Sequence, residues 1–236
     1  SSNNESLLLG TNRSTGLPVS GVQYGVLSGA STPNSTLSLR DSVIPTSGSI
    51  SSLYVELSTA PGTGDAHQVR LLKNGSPTSL TCTVSGTATT CNDTLNSVSF
   101  VAGDTVVMEF TPSGPSPTGP LARWSMKWTP VIAGETILSY ASGNNLNTGG
   151  SLRYAPPGAT SNTWQLVEPN AQVLVPGDFW IRKFVTTLNN APGVGTSYTF
   201  TTRVNETAGD LSSVVSGTDT TDSNIVNFDS IVAEDK

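Results

Sequence analysis

The sequence predicts an all-β protein built from two tandem antiparallel β-sandwich domains of jelly-roll type. Three observations lead to this prediction: an internal repeat, alternating apolar and polar residues, and closely spaced turn residues. The alternation is clear in Trp124, Met126 and Trp128, which are separated by polar residues and therefore have the period of a half-buried strand. We expect both tryptophans to lie in the core, because they share the phase of Met126.

The internal repeat is the strongest of the three observations. Segments 53–64 and 184–195 share the pattern Ala-Pro-Gly-x-Gly at an offset of 131 residues. The same offset relates Asn74 to Asn205, and the register continues downstream without a gap. Self-similarity at a constant offset identifies a duplicated structural unit.

Two domains follow from the repeat, at 1–130 and 135–236, with a linker at 130–134. Turn residues such as Asn-Gly, Pro-Gly and Gly-Asp recur about every eight to twelve positions in each repeat. This spacing predicts about eight short strands per domain, as in a jelly roll, and an immunoglobulin-like Greek key is the alternative.

The second repeat is expected to lack its last strands. In the first repeat, strand-like segments occupy 105–112 and 122–129, and their equivalents would fall at 236–260, whereas the sequence ends at Lys236. Three explanations are open. The C-terminus is truncated or processed, the second unit is a smaller variant that closes differently, or a neighbouring subunit supplies strands by donor-strand exchange.

A candidate donor segment lies near the start of the chain, at Leu7, Leu8 and Leu9. The same residues also match the beginning of the second repeat. An ordinary first strand is therefore the alternative interpretation.

Cys82 and Cys91 flank Ser85-Gly86-Thr87-Ala88, and glycine at the first loop position favours a type II′ hairpin turn. In that hairpin the two cysteines would face each other in a non-hydrogen-bonded pair, where a disulfide fits. Such a bond is typical of an oxidising environment. The equivalent residues of the second repeat, Ser213 and Asp222, are able to hydrogen-bond but not to cross-link.

Several motifs of the first repeat resemble those of known repeat proteins. Leu-Tyr-Val-x-Leu-Ser-Thr-Ala-Pro-Gly-x-Gly, Lys-Asn-Gly, Thr-Cys-Thr-Val-Ser-Gly-Thr and Val-Ala-Gly-Asp are similar to tandem β-sandwich repeats of uncharacterised phage virion proteins and environmental bacterial surface proteins. The resemblance covers nearly the whole chain but rests on turn and core residues. It implies an exterior structural or adhesive protein, with no catalytic residue to transfer.

Composition excludes several classes of function. Eleven Lys and Arg against seventeen Asp and Glu leave a net charge of −6, so no basic patch is expected to bind nucleic acid. No apolar run reaches the ~20 residues of a membrane span. One histidine and two cysteines are too few soft ligands for a zinc or haem site, and we expect no cofactor.

No catalytic motif is present, and we expect the protein not to be an enzyme. His67 has no nucleophile motif nearby, and Glu56 and Glu109 are interpreted as solvated carboxylates rather than a glycosidase pair.

Two weaker binding hypotheses remain. Asp219, Asp222 and Asn224 crowd one turn with oxygen ligands that suit calcium, with an acidic hairpin surface as the alternative. Trp164 and Trp180 are candidates for stacking on a glycan.

The sequence thus favours a non-enzymatic structural subunit on a virion surface or in an extracellular filament. Such a subunit would self-assemble, or bind other structural subunits, through sheet edges. A glycan-binding adhesin or receptor-binding module is the alternative.

Overall fold

The protein forms an all-β structure, as the sequence predicts, and the chain divides into two compact units. The computed structural model describes residues 4–12, 15–142, 146, 148–158, 160–161 and 164–236. The first unit comprises Ser1–Ala141 with Gly158–Thr160, and the second comprises Ser142–Pro157 with Ser161–Lys236.

The described part of the first unit contains ten strands in two sheets and a short 3-10 helix at Leu37–Leu39. The strands are β1 Ser6–Thr11, β2 Gln23–Gly25, β3 Gly29–Ala30, β4 Ser42–Val43, β5 Gly48–Leu57, β6 Gly62–Lys73, β7 Ser76–Gly86, β8 Thr90–Phe100, β9 Thr105–Ser113 and β10 Ala122–Pro130. One sheet has the order β3-β1-β10-β5-β8, and the other has the order β2-β9-β6-β7, with β4 also paired to β9. Neighbouring strands are antiparallel except for the short parallel pair of β1 with β3.

Alternation along the strands places one face of each sheet in a shared core. On β10, Trp124, Met126 and Trp128 are buried, which confirms the core position predicted for both tryptophans. The side chains between them point away from the core, and Arg123 on this outer face forms an exposed ion pair with Glu56. The same core includes Ile50, Leu53, Val55, Leu57, Val69, Leu71, Leu80, Val84, Val98, Phe100, Val106, Met108 and Phe110.

The Cys82–Cys91 disulfide is present, with the two Cα atoms 5.8 Å apart. The predicted tight turn is also present, since Ala88 N–H donates to Ser85 O and Gly86 has a positive φ of 61°. The predicted hairpin is wrong, however, because β7 pairs with β6 and β8 pairs with β5.

The hairpin does not form because the turn leads the chain from one sheet into the other. The strand before the turn, β7, forms its main-chain hydrogen bonds with β6, and the strand after it, β8, forms them with β5. The disulfide therefore links the edge strands of two facing sheets, and not two neighbours within one sheet.

The only histidine of the chain, His67, lies in this core and is fully buried. Its Nε2 is 2.7 Å from Thr118 O, and its Nδ1 has no hydrogen-bond partner among the described residues. Burial lowers the pKa of the imidazole, while the Thr118 carbonyl and the Asp65 carboxylate oppose this shift.

We expect the first unit to lose stability as the pH falls below about 6.5, the pKa of an unperturbed histidine. Because the folded state has the lower pKa, the unfolded state binds more protons, and the free energy of unfolding therefore rises with pH. Urea unfolding at pH 7.5, 6.5 and 5.5 measures this slope. His67→Gln should abolish it, and His67→Tyr, which copies Tyr198 of the second repeat, provides a second variant. An unchanged slope in both would contradict the assignment.

The second unit repeats the central strands of the first at the offset of 131. Two short strands, β11 Ala141–Ser142 and β12 Thr160–Ser161, each have one residue assigned to the first unit and one to the second. A 3-10 helix covers Glu168–Ala171, and the longer strands of the second unit are β13 Phe179–Thr187, β14 Gly193–Val204, β15 Thr207–Gly217 and β16 Thr221–Ile231. Thus β5, β6, β7 and β8 correspond to β13, β14, β15 and β16.

The repeat extends to individual hydrogen bonds in one loop. In the first unit, Asp104 accepts from Val101 N–H and from Asn74 Nδ2. In the second, Asp235 accepts from Val232 N–H and Asn205 Nδ2. Hydrogen bonding from Lys73, Val101 and Asn74 lowers the pKa of Asp104 to about 2, so this carboxylate stays ionised and holds the loop closed at neutral pH.

The division between the two compact units falls after the predicted start of the second repeat at 135. Residues through Ala141 belong to the first unit. There Thr136 Oγ1 donates to Ser6 Oγ at 2.8 Å, and the hydroxyls of Ser139 and Ser28 are 2.8 Å apart.

The candidate donor segment lies in β1 of the first unit. Leu8 is buried in the core, whereas Leu7 and Leu9 are exposed on the outer face. The strand pairs with β10 in antiparallel register, with Leu8 opposite Met126. These residues therefore occupy the place of an ordinary first strand in the structure.

Candidate functional site

The candidate site is formed by two strand edges of the second unit, and the first unit provides the reference for them. In the first unit, β5 pairs with β8 on one side and with β10 on the other. Likewise, β6 pairs with β7 and with β9. Both central strands are therefore hydrogen-bonded along both edges.

The corresponding strands of the second unit have one partner each among the described residues. There β13 pairs with β16, and β14 pairs with β15. The edges that β10 and β9 cover in the first unit carry no paired strand in the described part of the second. We call these two edges, one on β13 and one on β14, the open edges.

Inward-facing side chains of the second unit are less buried near the open edges than on the side where both units have equivalent strands. On that side, the residues at most 4% exposed include Leu211, Val215 and Ile231. Phe184 and Phe200, beside the open edges, are only half-buried, although the equivalent Leu53 and Val69 of the first unit are fully buried. The apolar surface behind the open edges is thus incompletely covered.

Phe179 stands at the beginning of β13 and is 44% exposed. The equivalent position in the first unit is Gly48, where an added Cβ would overlap the ring of Trp128 and lie 2.8 Å from Thr129 O. At this position the first unit has a glycine that leaves room for the ring of Trp128, whereas the second unit has a phenylalanine side chain.

A pair of exposed aromatic rings lies on the outer face of the β13–β16 sheet. The rings of Trp180 and Phe228 have centroids 5.7 Å apart at an angle of 46°, and these residues are 66% and 54% exposed. The equivalent residues of the first unit are Ser49 and Ser97. We call Trp180 and Phe228 the aromatic pair.

Other exposed positions change in the same direction between the repeats. Polar residues of the first unit are replaced by exposed apolar ones in the second. These replacements are Thr63 to Val194, Thr83 to Val214 and Thr94 to Ile225. An exposed apolar surface of this kind is typical of a binding or assembly interface.

Of these aromatic residues, only Trp180 was predicted as a site residue, whereas Phe179 and Phe228 were not. Each is visible when the two repeats are compared position by position, since glycine or serine becomes phenylalanine. Trp164, the other candidate for glycan stacking, is half-buried in the second unit, so the structure does not bring it into the aromatic pair.

A shallow cleft of about 600 Å³ adjoins Phe228. It contains Asp229, which replaces Val98 of the first unit and is 7% exposed. This carboxyl group accepts hydrogen bonds from Asp210 N–H and the Thr202 hydroxyl, so it has polar partners within the unit.

The calcium candidates have other partners in the structure. Asp222 accepts from the Ser213 hydroxyl at 2.8 Å, as the sequence predicted, and from Val214 N–H at 2.7 Å. These bonds, the first above all, lower the pKa of Asp222. Asn224 Oδ1 caps the following main chain, and Asp219 is exposed. Within the described ranges, no three His, Cys, Asp or Glu side chains cluster as metal ligands.

The two glutamates considered for catalysis are in different sheets. Glu56, on β5, pairs with Arg123 on an exposed face. Glu109, on β9, is only 7% exposed and forms an ion pair with Arg70. The prediction that its carboxylate would be solvated is therefore wrong. A cation from the neighbouring strand β6 compensates its charge, which explains how the carboxylate is tolerated there.

Comparison of the sequence with protein-family models and with curated proteins gives no match. Of the residues that the structure describes, none belongs to a helix long and apolar enough to cross a membrane.

Proposed function

We propose that the protein is a non-enzymatic structural subunit of an exterior assembly, on a virion surface or in an extracellular filament. Strands of a neighbouring chain pair with the open edges of β13 and β14. The observation that carries this proposal is the contrast between two equivalent units, one with both edges paired and one with both edges open. Main-chain pairing supplies affinity in such complexes, and the alternating side chains supply specificity.

The strand order of the first unit supports a jelly-roll assignment. With β1, β2 and β5 to β10 taken as eight strands along the chain, the sheets follow the orders 1-8-3-6 and 2-7-4-5. We infer a double Greek key, an architecture common in capsid and lectin domains. The disulfide supports an extracellular or virion location, because such bonds persist in oxidising environments.

The assembly proposal is tested with lysines placed along an open edge. Thr199→Lys with Thr201→Lys puts two charges on exposed positions of β14, and edge lysines oppose strand addition. Val214→Lys with Ser212→Lys is the matched control, because these residues lie directly opposite on β15, away from the open edge.

The assembly state and the mass of the native protein are first measured by negative-stain microscopy and mass spectrometry, and the variants are compared with it. We expect the native protein in particles or fibres, at least a tenfold loss of incorporation for the β14 variant, and normal incorporation for the control. A native protein that is monomeric and absent from every particle would overturn the proposal, as would equal incorporation of both variants.

A glycan-binding adhesin is the second candidate, favoured by the aromatic pair. Exposed aromatic faces stack on the apolar faces of sugar rings, and both rings of the pair are more than half exposed. The serines at the equivalent positions of the first unit offer no such surface. The function would therefore reside in the second unit.

Under this hypothesis, Trp180→Ala should abolish specific binding on a glycan array, because it removes the larger ring of the pair. Trp164→Ala should leave binding intact, since that side chain is half-buried elsewhere in the unit. Ser49→Ala, at the equivalent position of the first unit, is the matched control. Absence of any bound glycan for the native chain would exclude the adhesin.

A further inference from the structure

Three residues around one carboxyl group of the second unit differ in kind from their equivalents in the first unit. The replacements, at the offset of 131, are Leu71 to Thr202, Thr78 to Gly209 and Val98 to Asp229. In the first unit, Leu71 and Val98 belong to the hydrophobic core. In the second, the Thr202 hydroxyl donates to the Asp229 carboxyl group. A polar pair thus stands where the equivalent unit has two core side chains.

Gly209 provides the space for the carboxyl group of Asp229. A Cβ added at Gly209 would lie 2.3 Å from Asp229 Oδ2, and the φ of Gly209 is not in the left-handed region. The backbone conformation therefore does not require glycine at this position, whereas the carboxyl group does. The first unit folds with Thr78 and Val98 at the same two positions, so the fold itself does not need the glycine and the aspartate.

The Asp229 carboxyl group has capacity for further hydrogen-bond donors. It is only 7% exposed, and it lines the cleft of about 600 Å³ beside Phe228. Its Oδ1 accepts from Asp210 N–H at 2.7 Å, and its Oδ2 accepts from the Thr202 hydroxyl. An ionised carboxylate has about four acceptor positions. About two of these positions therefore have no donor among the described residues.

Asp229 also has no counter-ion in the part of the chain that the structure describes. In the first unit, the buried Asp104 and Glu109 pair with Lys73 and Arg70. The ion pair in the described part of the second unit joins two other residues, Arg203 and Glu168. Burial of a carboxylate costs free energy unless a cation compensates it. A cation that enters the cleft would supply this compensation.

The lining of the cleft suits a cation with an alkyl chain better than a metal ion. Ala208, Val226 and Phe228 are among the lining residues, and methylene groups pack on such apolar side chains. A calcium ion would need about six to eight oxygen ligands. Within the described ranges, no three His, Cys, Asp or Glu side chains cluster as metal ligands. The net charge of −6 also favours the approach of a cation.

We propose that the cleft beside Asp229 binds a primary alkylammonium group, supplied either by a lysine side chain of a partner protein or by a free polyamine. The ammonium group donates to the unoccupied acceptor positions of the Asp229 carboxylate, and its alkyl chain lies along Val226 and Phe228. This site goes beyond the proposed assembly. Its lining residues come from β15, β16 and the end of β14, and ligand binding there requires no strand at either open edge.

The test is an NMR titration of the full chain with two amines. Nα-acetyl-lysine methylamide represents a lysine side chain, and diaminopentane represents a polyamine. The Nε-acetylated form of the lysine derivative has no ammonium group and is the control ligand. Asp229→Asn removes the charge at nearly constant shape, and Asp229→Val, which copies the first unit, is a second variant in case the asparagine variant fails to fold. Asp219→Asn, at an exposed position of the second unit, is the matched control for the loss of one carboxylate.

We expect both amines to shift the amide signals of Gly209, Asp210 and Asp229 saturably, and the acetylated control ligand to shift none of them. Asp229→Asn and Asp229→Val should weaken binding at least about tenfold, because they remove charge-assisted hydrogen bonds. Asp219→Asn should change the affinity less than about twofold, because an exposed charge outside the cleft contributes little. Tighter binding of the lysine derivative would identify a partner's lysine as the ligand, and tighter binding of diaminopentane would identify a free polyamine.

Three results would overturn the proposal. The first is the absence of a saturable shift with either amine, and the second is equal affinity of the native chain and Asp229→Asn. The third is a titration in which CaCl2 shifts the same signals at lower concentration than both amines. None of these results would alter the expected incorporation of the β14 variant, so the alkylammonium site and the proposed assembly are tested separately.

Discussion

Replacement of Trp128 by alanine is expected to destabilise the first unit by about 4 kcal/mol. The indole is fully buried, and Gly48 beside it has no side chain that could fill the resulting cavity. Urea unfolding, followed by NMR signals of the first unit, measures the loss. Arg123→Ala, on the exposed face of the same strand, is the control and should change stability by less than about 1 kcal/mol.

Gly48→Phe completes this experiment, because it gives the first unit the side chain of the second. Alone it should cost about 3 kcal/mol through overpacking against Trp128. Combined with Trp128→Gly, the cost should be less than the sum of the two single effects, since the new ring enters the vacated space. Rescue will be partial, because Thr129 O also lies close to the added side chain. Simple additivity would contradict a shared volume.

Removal of the disulfide by Cys82→Ser with Cys91→Ser should destabilise the first unit by about 3 kcal/mol, from the entropy of a short closed loop in the unfolded chain. The bond joins edge strands of two different sheets, so its loss should also increase hydrogen exchange in β7 and β8.

The second unit serves as an internal control for the disulfide experiment. It has the Ser213–Asp222 hydrogen bond where the first unit has the disulfide, and its unfolding should not respond to either substitution or to reductant. An unchanged transition of the first unit in the double variant would show that the bond is energetically neutral.

The repeat made much of this fold predictable. A constant offset transfers strand positions, turns and loop hydrogen bonds from one copy to the other, and Asn74 with Asn205 marked both loops. Alternation on β10 identified Trp124 and Trp128 as core residues, because a period of two distinguishes an inward from an outward side chain.

Strand pairing was harder to predict than strand position. The Gly86 turn was identified, but a tight turn is compatible with a hairpin and also with a connection between two sheets. Which one forms depends on the long-range partners β5 and β6, and local sequence does not encode those. For the same reason the burial of Glu109 escaped prediction, since Arg70 is brought beside it only by the pairing of β6 with β9.

Prediction of the candidate site needed both the sequence repeat and the strand pairing of the structure. The repeat predicted the strands equivalent to β5, β6, β7 and β8, while the open edges, and the structural meaning of the difference between Gly48 and Phe179, required the strand pairing. Position-by-position comparison of the repeats would have highlighted Phe228, but not that its ring lies beside Trp180.

The open edges also bear on the timing and reversibility of assembly. If neighbouring strands complete the second unit, as proposed, part of the free energy that a sandwich normally gains on folding is gained only when such a strand binds. A free subunit then remains loosely held around Phe184 and Phe200, and becomes rigid only in the assembled state. Dissociation would require exposing that apolar surface again, so the finished structure would be kinetically durable although each free subunit is not.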